Sequence, residues 1–278
     1  MPREGSADVT LSLGHVPDHL NDPIWTSPFI EIGDSETVLL RWGERVRILA
    51  RAGRELILDT APGTDGADIE AFLLGAVAGV LLHQRSELAL HASCVAIDGK
   101  AVAISGPSGR GKSTLAAALA AEGHQLLTDD VCRILFAEGR AWSVPGSSRL
   151  RLWPDAAAAL HHTPDNLAPG RSGHAKRLLV LPPASPSPIP LAMIVRLSSD
   201  ARVTVPSLTR LSGTATMARP VDVLYRAGLG RRMGRRLSLF RDFAHLLSIV
   251  PSFSLTRTGN MANLPELVEL LVSAVREA

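Results

Sequence analysis

The apolar positions of this chain fall first into short runs separated by glycine. Thr37–Trp42, Arg45–Leu49 and Glu55–Leu58 are such runs, set off by Gly33, Gly43 and Gly53. Short runs between glycine turns predict a small antiparallel β meander over Phe29–Asp59. Residues 1 to about 22 are polar and irregular and read as a loosely held arm. After a loop at 61–66 the pattern changes. Asp68 is a candidate N-cap, and apolar residues continue to about Gln84, as a helix requires.

Further along, Leu88–Ile97 reads as a strand, and Asp98-Gly99 is a strong hairpin signal leading back through Ala101–Ser105. Leu115–Glu122 consists of strong helix formers and stops at Gly123, a C′ residue. Gln125–Thr128 predicts a short strand, and Val131–Phe136 with Ala141–Val144 a hairpin across Glu138-Gly139. Leu160–Gly173, rich in Pro, Gly, His and Asn, reads as a loop. Strands are expected at Leu178–Leu181, Leu191–Leu197 and Arg202–Leu208, and helices at Val221–Ala227, Leu237–Ile249 and from Leu264 to the end. Mixed strands and helices predict an α/β fold. No internal repeat is visible.

Between the strand at 101–105 and the helix at 115–122 lies Gly106-Pro107-Ser108-Gly109-Arg110-Gly111-Lys112-Ser113-Thr114, with the spacing G-x-x-x-x-G-K-[ST]. Glycines let a tight loop aim several N–H groups at one phosphate, and the helix start adds unpaired N–H groups and the positive end of its dipole. Lys112 supplies a cation for the β/γ-phosphates, and the Ser113 hydroxyl can ligate Mg²⁺. The expectation is a nucleoside triphosphate site, with ATP and Mg²⁺ bound by Gly106, Ser108, Gly109, Arg110, Gly111, Lys112, Ser113 and Thr114. An acidic pair, Asp129-Asp130, follows only 17 residues beyond Lys112. Adjacent acids at a strand end point to opposite faces unless a bend turns both inward. If both turn in, one can hold Mg²⁺ with Ser113 while the other accepts a proton from an attacking hydroxyl.

Composition narrows the partners. The 278 residues are 46% hydrophobic and 20% charged, with a formal net charge of +2, so no global field argues for nucleic acid or membrane. Aromatics at 4% weaken a base-stacking reading as well. Cys94 and Cys132 lack C-x-x-C spacing and read as small buried hydrophobes of a reducing compartment. Met1–Leu20 shows no apolar signal core, and Ala71–Leu82 reads as a buried helix too short to span a bilayer. A cytoplasmic location is the expectation. Arg231, Arg232, Arg235 and Arg236, with Arg226 nearby, could dock an acidic peptide or a second subunit of a homo-oligomer; an exposed helix start is the plainer reading. Glycines at 228, 230 and 234 suggest a flexible segment there. Lys176 or Arg177 could reach a γ-phosphate or simply be strand-edge cations. His161-His162 reads as a loop pair.

The stretch Leu88 to about Phe136 resembles the catalytic core of bacterial HPr serine kinase/phosphorylase. The resemblance rests on Gly106–Lys112, Ser113-Thr114, Gly123-His124, Leu126 and Asp129-Asp130, with His91 of Leu90-His91-Ala92-Ser93 where that family has a histidine near the phosphates. It implies a P-loop kinase core similar to that of phosphoenolpyruvate carboxykinase, here with a small β-rich N-terminal lobe at 1–66 and the kinase-like domain at 67–278. It also implies ATP-dependent transfer to a serine hydroxyl, with Asp129, Asp130, Lys112 and His91 as catalytic residues and Ser113, Asp129 and Asp130 at the metal. Pro107 and Thr114 depart from the family pattern, and its E-x-R-G-x-G-x-x-N stretch is absent. Phosphorolysis and HPr itself therefore do not carry over. The shorter HPr-kinase-like proteins, including those acting on ribosomal precursor peptides such as lasso peptides, match better, so the expected partner is a peptide or small-protein acceptor. A nucleotide-gated chaperone and a small-molecule kinase are the rival readings.

Overall fold

The computed structural model describes residues 8–34, 36–170, 174–200, 202–257 and 263–277. Residues 1–7 of the expected arm, 171–173 of the expected loop and Ala278 of the expected last helix lie outside them. The chain begins with β1 (Thr10–Leu13), β2 (Trp25–Thr26), β3 (Ile30–Ile32), β4 (Thr37–Trp42), β5 (Val46–Arg51) and β6 (Glu55–Thr60), then helix α1 (Gly66–Gln84). Next come β7 (Leu88–Leu90), β8 (Ala92–Ile97), β9 (Lys100–Ser105), α2 (Lys112–Ala121), β10 (Gln125–Thr128), β11 (Cys132–Ala137), β12 (Arg140–Val144) and β13 (Arg149–Leu152). Then follow α3 (Pro154–Ala159), β14 (Ala168–Pro169), β15 (Arg177–Val180), β16 (Ile189–Ser199) and β17 (Ser207–Leu211). The last elements are α4 (Gly213–Met217), α5 (Ala227–Arg232), α6 (Arg236–Ile249), β18 (Ser252–Arg257) and α7 (Leu264–Glu277). The fold is mixed α/β.

Two compact units result, Met1–Leu88 with Arg226–Phe240, and Ala89–Tyr225 with Arg241–Ala278. The boundary expected at 66/67 is thus corrected. Val77 and Val80 of α1 and Leu229 and Met233 after it pack onto Ile32, Leu40, Ile48 and Leu58 of the meander, so both segments belong to the first unit's core. That unit's sheet has the order β1-β6-β5-β4-β3-β2. The predicted meander is its antiparallel part. The arm is not loose from Thr10 onward: β1 pairs in parallel with β6, and Val16 is fully buried against Leu39 and Leu49. The cap of α1 is Asp65, whose carboxylate accepts the Ala67 N–H at 2.9 Å, rather than Asp68. The helix has 19 residues and a mean hydropathy of 1.5, long and apolar enough by length and composition to cross a membrane, which corrects the reading of Ala71–Leu82 as too short. Its burial is one-sided, through Val77, Gly79, Val80 and His83.

The arginine segment is helical, not flexible. Gly230 lies inside α5 because a Cβ there would fall 2.7 Å from the His83 ring and 2.6 Å from Leu239. Arg235 is buried and donates to the Glu87 carbonyl at 2.9 Å, and the Arg232 guanidinium lies 4.2 Å from the Trp25 ring centroid. A uniformly solvated helix start is therefore not what these arginines form.

In the second unit β9 is an inner strand, antiparallel to β8 and parallel to β16, which in turn runs parallel to β18. Leu115 and Leu119 of α2 and Leu267, Leu271 and Val275 of α7 pack against Val95, Val102, Ile104 and Val195. Both predicted hairpin turns form with positive φ at two successive residues, Asp98-Gly99 and Glu138-Gly139, as their sequence demands. Three expectations shift. Leu88–Ile97 is broken at His91, whose N–H donates to the Val223 carbonyl at 2.7 Å. The strand expected at Arg202–Leu208 begins at Ser207, because Arg202 is turned back onto Asp200 by its N–H and guanidinium. The helix expected at Val221–Ala227 is a short 3₁₀ turn, Pro220–Asp222, ahead of α5. Elements β13 and α3 lie where no element was expected. Cys94 and Cys132 are buried free thiols, as expected, but they meet in space, 3.2 and 3.5 Å from the Ser143 hydroxyl.

Candidate active site

The inner strand β9 ends at Ser105, and the chain turns through 106–111 directly into α2. Gly106 has φ +137, and a Cβ there would lie 2.8 Å from the Leu197 carbonyl oxygen, so no other residue fits without moving β16. Its N–H donates to the Asp222 carbonyl, so the segment that holds His91 also holds the start of the loop. Gly111, at φ +93, is the N-cap of α2 and offers no side-chain cap, leaving the first N–H groups of the helix facing the loop. At the other end Gly123 and His124 donate to Ala120 and Leu119, the paired bonds of a Schellman stop predicted from Gly123.

Lys112 folds back over this loop. Its ammonium donates to the Gly106 carbonyl at 2.9 Å and lies 3.2 Å from His91 Nε2. Burial lowers its pKa, as does the nearby Lys176 ammonium, against the opposing pull of Asp130 and Asp129. Ser113, one residue on, points at the acid pair: its hydroxyl lies 3.0 and 3.1 Å from the two carboxylate oxygens of Asp129.

The acids converge because β10 ends in a sharp bend. Asp130 takes φ +74, and Thr128 Oγ1 donates to the Val131 carbonyl to close the turn. Without that left-handed residue the two carboxylates would diverge. Asp129 faces Ser113 and also accepts the Ser93 hydroxyl at 2.5 Å. Burial raises its pKa, and the Asp130 charge adds to this, against the Ser93, Ser113 and Arg151 N–H hydrogen bonds. Asp130 faces His91, with Oδ1 2.9 Å from Nδ1. Burial alone would raise the Asp130 carboxyl, but the His91 hydrogen bond and the charges of Arg151 and Lys112 hold the group below its ordinary value. With Nδ1–H donating to Asp130, Nε2 is the acceptor for a Lys112 N–H, so one imidazole ties the loop cation to the second acid.

Lys112, Ser113, His91, Asp129 and Asp130 therefore form two chains of contacts, Lys112–His91–Asp130 and Ser113–Asp129–Ser93, adjacent along the backbone at 112/113 and 129/130. Ser108, Gly109, Arg110 and Thr114 sit on or beside the loop, where Arg110 reaches the Ser199 hydroxyl at 2.6 Å and its carbonyl accepts from Arg257 at 2.9 Å. Beside Gly111 and Thr114 an apolar recess is lined by Leu115, Leu197, Leu264 and Leu267, with Arg257 on its rim. Arg177 pairs with Asp165 at 3.6 Å, away from this network, and the His161-His162 pair belongs to no metal cluster among the described residues. Ser93 and Arg151 were not anticipated. The signal for Ser93 was its two-residue offset from His91, which in an unbroken strand puts both on one side.

Comparison with known proteins adds little. No family model matches the chain, and no curated protein matches it. Among solved structures it is similar to the Hpr(Ser) kinase/phosphatase from Coxiella burnetii, with 16% identity and a TM-score of 0.37 over 68% of this chain and 96% of that one. That likeness is distant.

As to a metal, a hydroxyl and a carboxylate meeting at Ser113 and Asp129 are the hard oxygen donors Mg²⁺ takes. Among the described residues no group of three or more His, Cys, Asp or Glu could hold a metal by itself. Mg²⁺ is usually held by one or two protein ligands plus phosphate and water.

Proposed function

We propose that this protein is an ATP-dependent kinase that transfers the γ-phosphoryl group to a serine hydroxyl of a peptide or small protein. The observation that carries the reading is the division of the acid pair: Asp129 on the Ser113 hydroxyl beside the glycine loop, Asp130 on His91. In this reading the N–H groups of 108–111 and the Lys112 ammonium bind the phosphates, and the adenine enters the recess beside Thr114. Ser113 and Asp129 would hold Mg²⁺, which when bound neutralises charge on the phosphate oxygens. Asp129 suits that role, since a carboxylate destabilised by burial gains most from a cation at its side.

Asp130 accepts the hydrogen bond of the incoming hydroxyl and orients its lone pair at phosphorus. A carboxylate held below its ordinary pKa is a weak base, so it takes the proton late, as the new P–O bond forms. His91 fixes the direction of that carboxylate. Most of the acceleration then comes from charge stabilisation by Lys112 and the loop N–H groups. The motif Gly106–Asp130 resembles HPr kinase in the same sense, and the protein is proposed to work in the cytoplasm. The test is incubation with γ-labelled ATP, Mg²⁺ and seryl peptides or phosphocarrier proteins, read by gel and mass spectrometry. A phosphoserine product is expected. Tight ATP binding with no phosphorylated product from any acceptor would instead support a nucleotide-gated binding module.

A further inference from the structure

Two side chains at the end of the β13–β15 pair have no role in the proposed transfer. Strand β13 sends the Arg151 N–H to the Asp129 carboxylate and ends at Leu152, and the next residue, Trp153, is 45% exposed. The ammonium of Lys176 lies over that ring, 5.4 Å from its centroid. The two meet because β13 and β15 are antiparallel with Leu152 opposite Arg177, so 153 and 176 are the next cross-strand pair. The main chain of Lys176 is clamped. Its carbonyl accepts the Gly170 N–H at 2.9 Å, and a Cβ on Gly170 would come within 3.0 Å of that same oxygen. A fixed backbone carrying a long side chain is a short tether with a cation at its tip.

That cation is near enough to Lys112 to disfavour the charge there. The two carboxylates that could relieve the repulsion are already engaged, Asp129 by Ser113 and Ser93, Asp130 by His91. Two ammoniums near enough to feel each other's charge, one on the phosphate loop and one on a tether, favour an anion bound between them. The face of an exposed indole holds an ammonium weakly, whereas charge-assisted hydrogen bonds to phosphate oxygens are strong. Exchange from one to the other is therefore downhill.

We propose that Lys176 is a ligand of the terminal phosphoryl group, leaving Trp153 to bind the γ-phosphate, so that this protein tells a nucleoside triphosphate from a diphosphate through Lys176. The inference rests on the nucleotide site proposed above. It is tested by calorimetric titration of the wild-type protein, Lys176→Gln and Lys176→Arg with Mg²⁺ and either the imido analogue of ATP or ADP. The difference in tryptophan fluorescence between the wild type and Trp153→Phe is followed in parallel. Expected for Lys176→Gln is about tenfold weaker binding of the triphosphate, with ADP affinity unchanged within about twofold, and recovery in Lys176→Arg. The Trp153 signal should change with the triphosphate, not with ADP, and the change should vanish in Lys176→Gln. Equal effects on both nucleotides, or none on the triphosphate, overturn the assignment of Lys176 alone. Failure of either nucleotide to bind the wild type overturns the nucleotide site and this assignment together.

Discussion

Asp130→Asn is expected to lower the rate of phosphoryl transfer by roughly a thousandfold while leaving the affinity for ATP with Mg²⁺ within about twofold. The amide keeps the shape and can still meet His91, but it accepts no proton and offers the hydroxyl a weaker acceptor. Asp129→Asn should behave differently. Its carboxylate lies on Ser113, so the variant should need at least about tenfold more Mg²⁺ for half-maximal activity, with part of the lost rate restored at high Mg²⁺. Steady-state kinetics over ATP and Mg²⁺ concentrations separates the two patterns. The same deficit in both variants, insensitive to Mg²⁺, would show that the acids do not divide their work as their contacts indicate.

A second large effect is expected at Gly106. An alanine there must adopt φ +137 and place its methyl 2.8 Å from the Leu197 carbonyl, a backbone atom in the middle of the sheet. The left-handed backbone alone costs about 1–3 kcal/mol, and the contact adds a shift of the loop away from β16. Since that loop carries the N–H groups, Gly106→Ala should lose well over tenfold in ATP affinity. Gly109→Ala is the control: it has φ +79 but no atom within 4 Å of its added methyl. It should show the strain without the collision, and so a smaller loss. Equal losses in the two variants would mean that the approach to Leu197 does not matter to the loop.

The phosphate loop and the acids behind it are legible in sequence because each feature is local. Strand, glycines, helix and Asp pair follow one another within 30 residues, 101–130. The left-handed bend at Asp130 is less plain, though an Asp there tolerates it. What was not legible depends on distant pairing. Arg149-Leu150-Arg151-Leu152 alternates with period two, but it holds only two apolar residues and runs into Trp153-Pro154, so only its pairing with β15 marks it as a strand. For that reason Arg151, Trp153 and the position of Lys176 came only with the structure. The mixed make-up of the first unit has a similar cause. Glycines at 228, 230 and 234 hide the helix α5 in the sequence, and only the packing of Leu229 and Met233 onto the meander places this segment in the first unit. Likewise β1 needed β6 beside it before Thr-Leu-Ser-Leu could be anything but an arm.

The central claim is that a triphosphate lies along 106–114 with Asp129 reaching it through a divalent cation held at Ser113. Calorimetric titration of the whole protein with ATP, with Mg²⁺ present and again with the metal chelated, tests it most directly. The account predicts saturable binding at one site per chain with Mg²⁺ and at least about tenfold weaker binding without it. No heat of binding up to millimolar ATP with Mg²⁺ present, or an affinity indifferent to the metal, would contradict it.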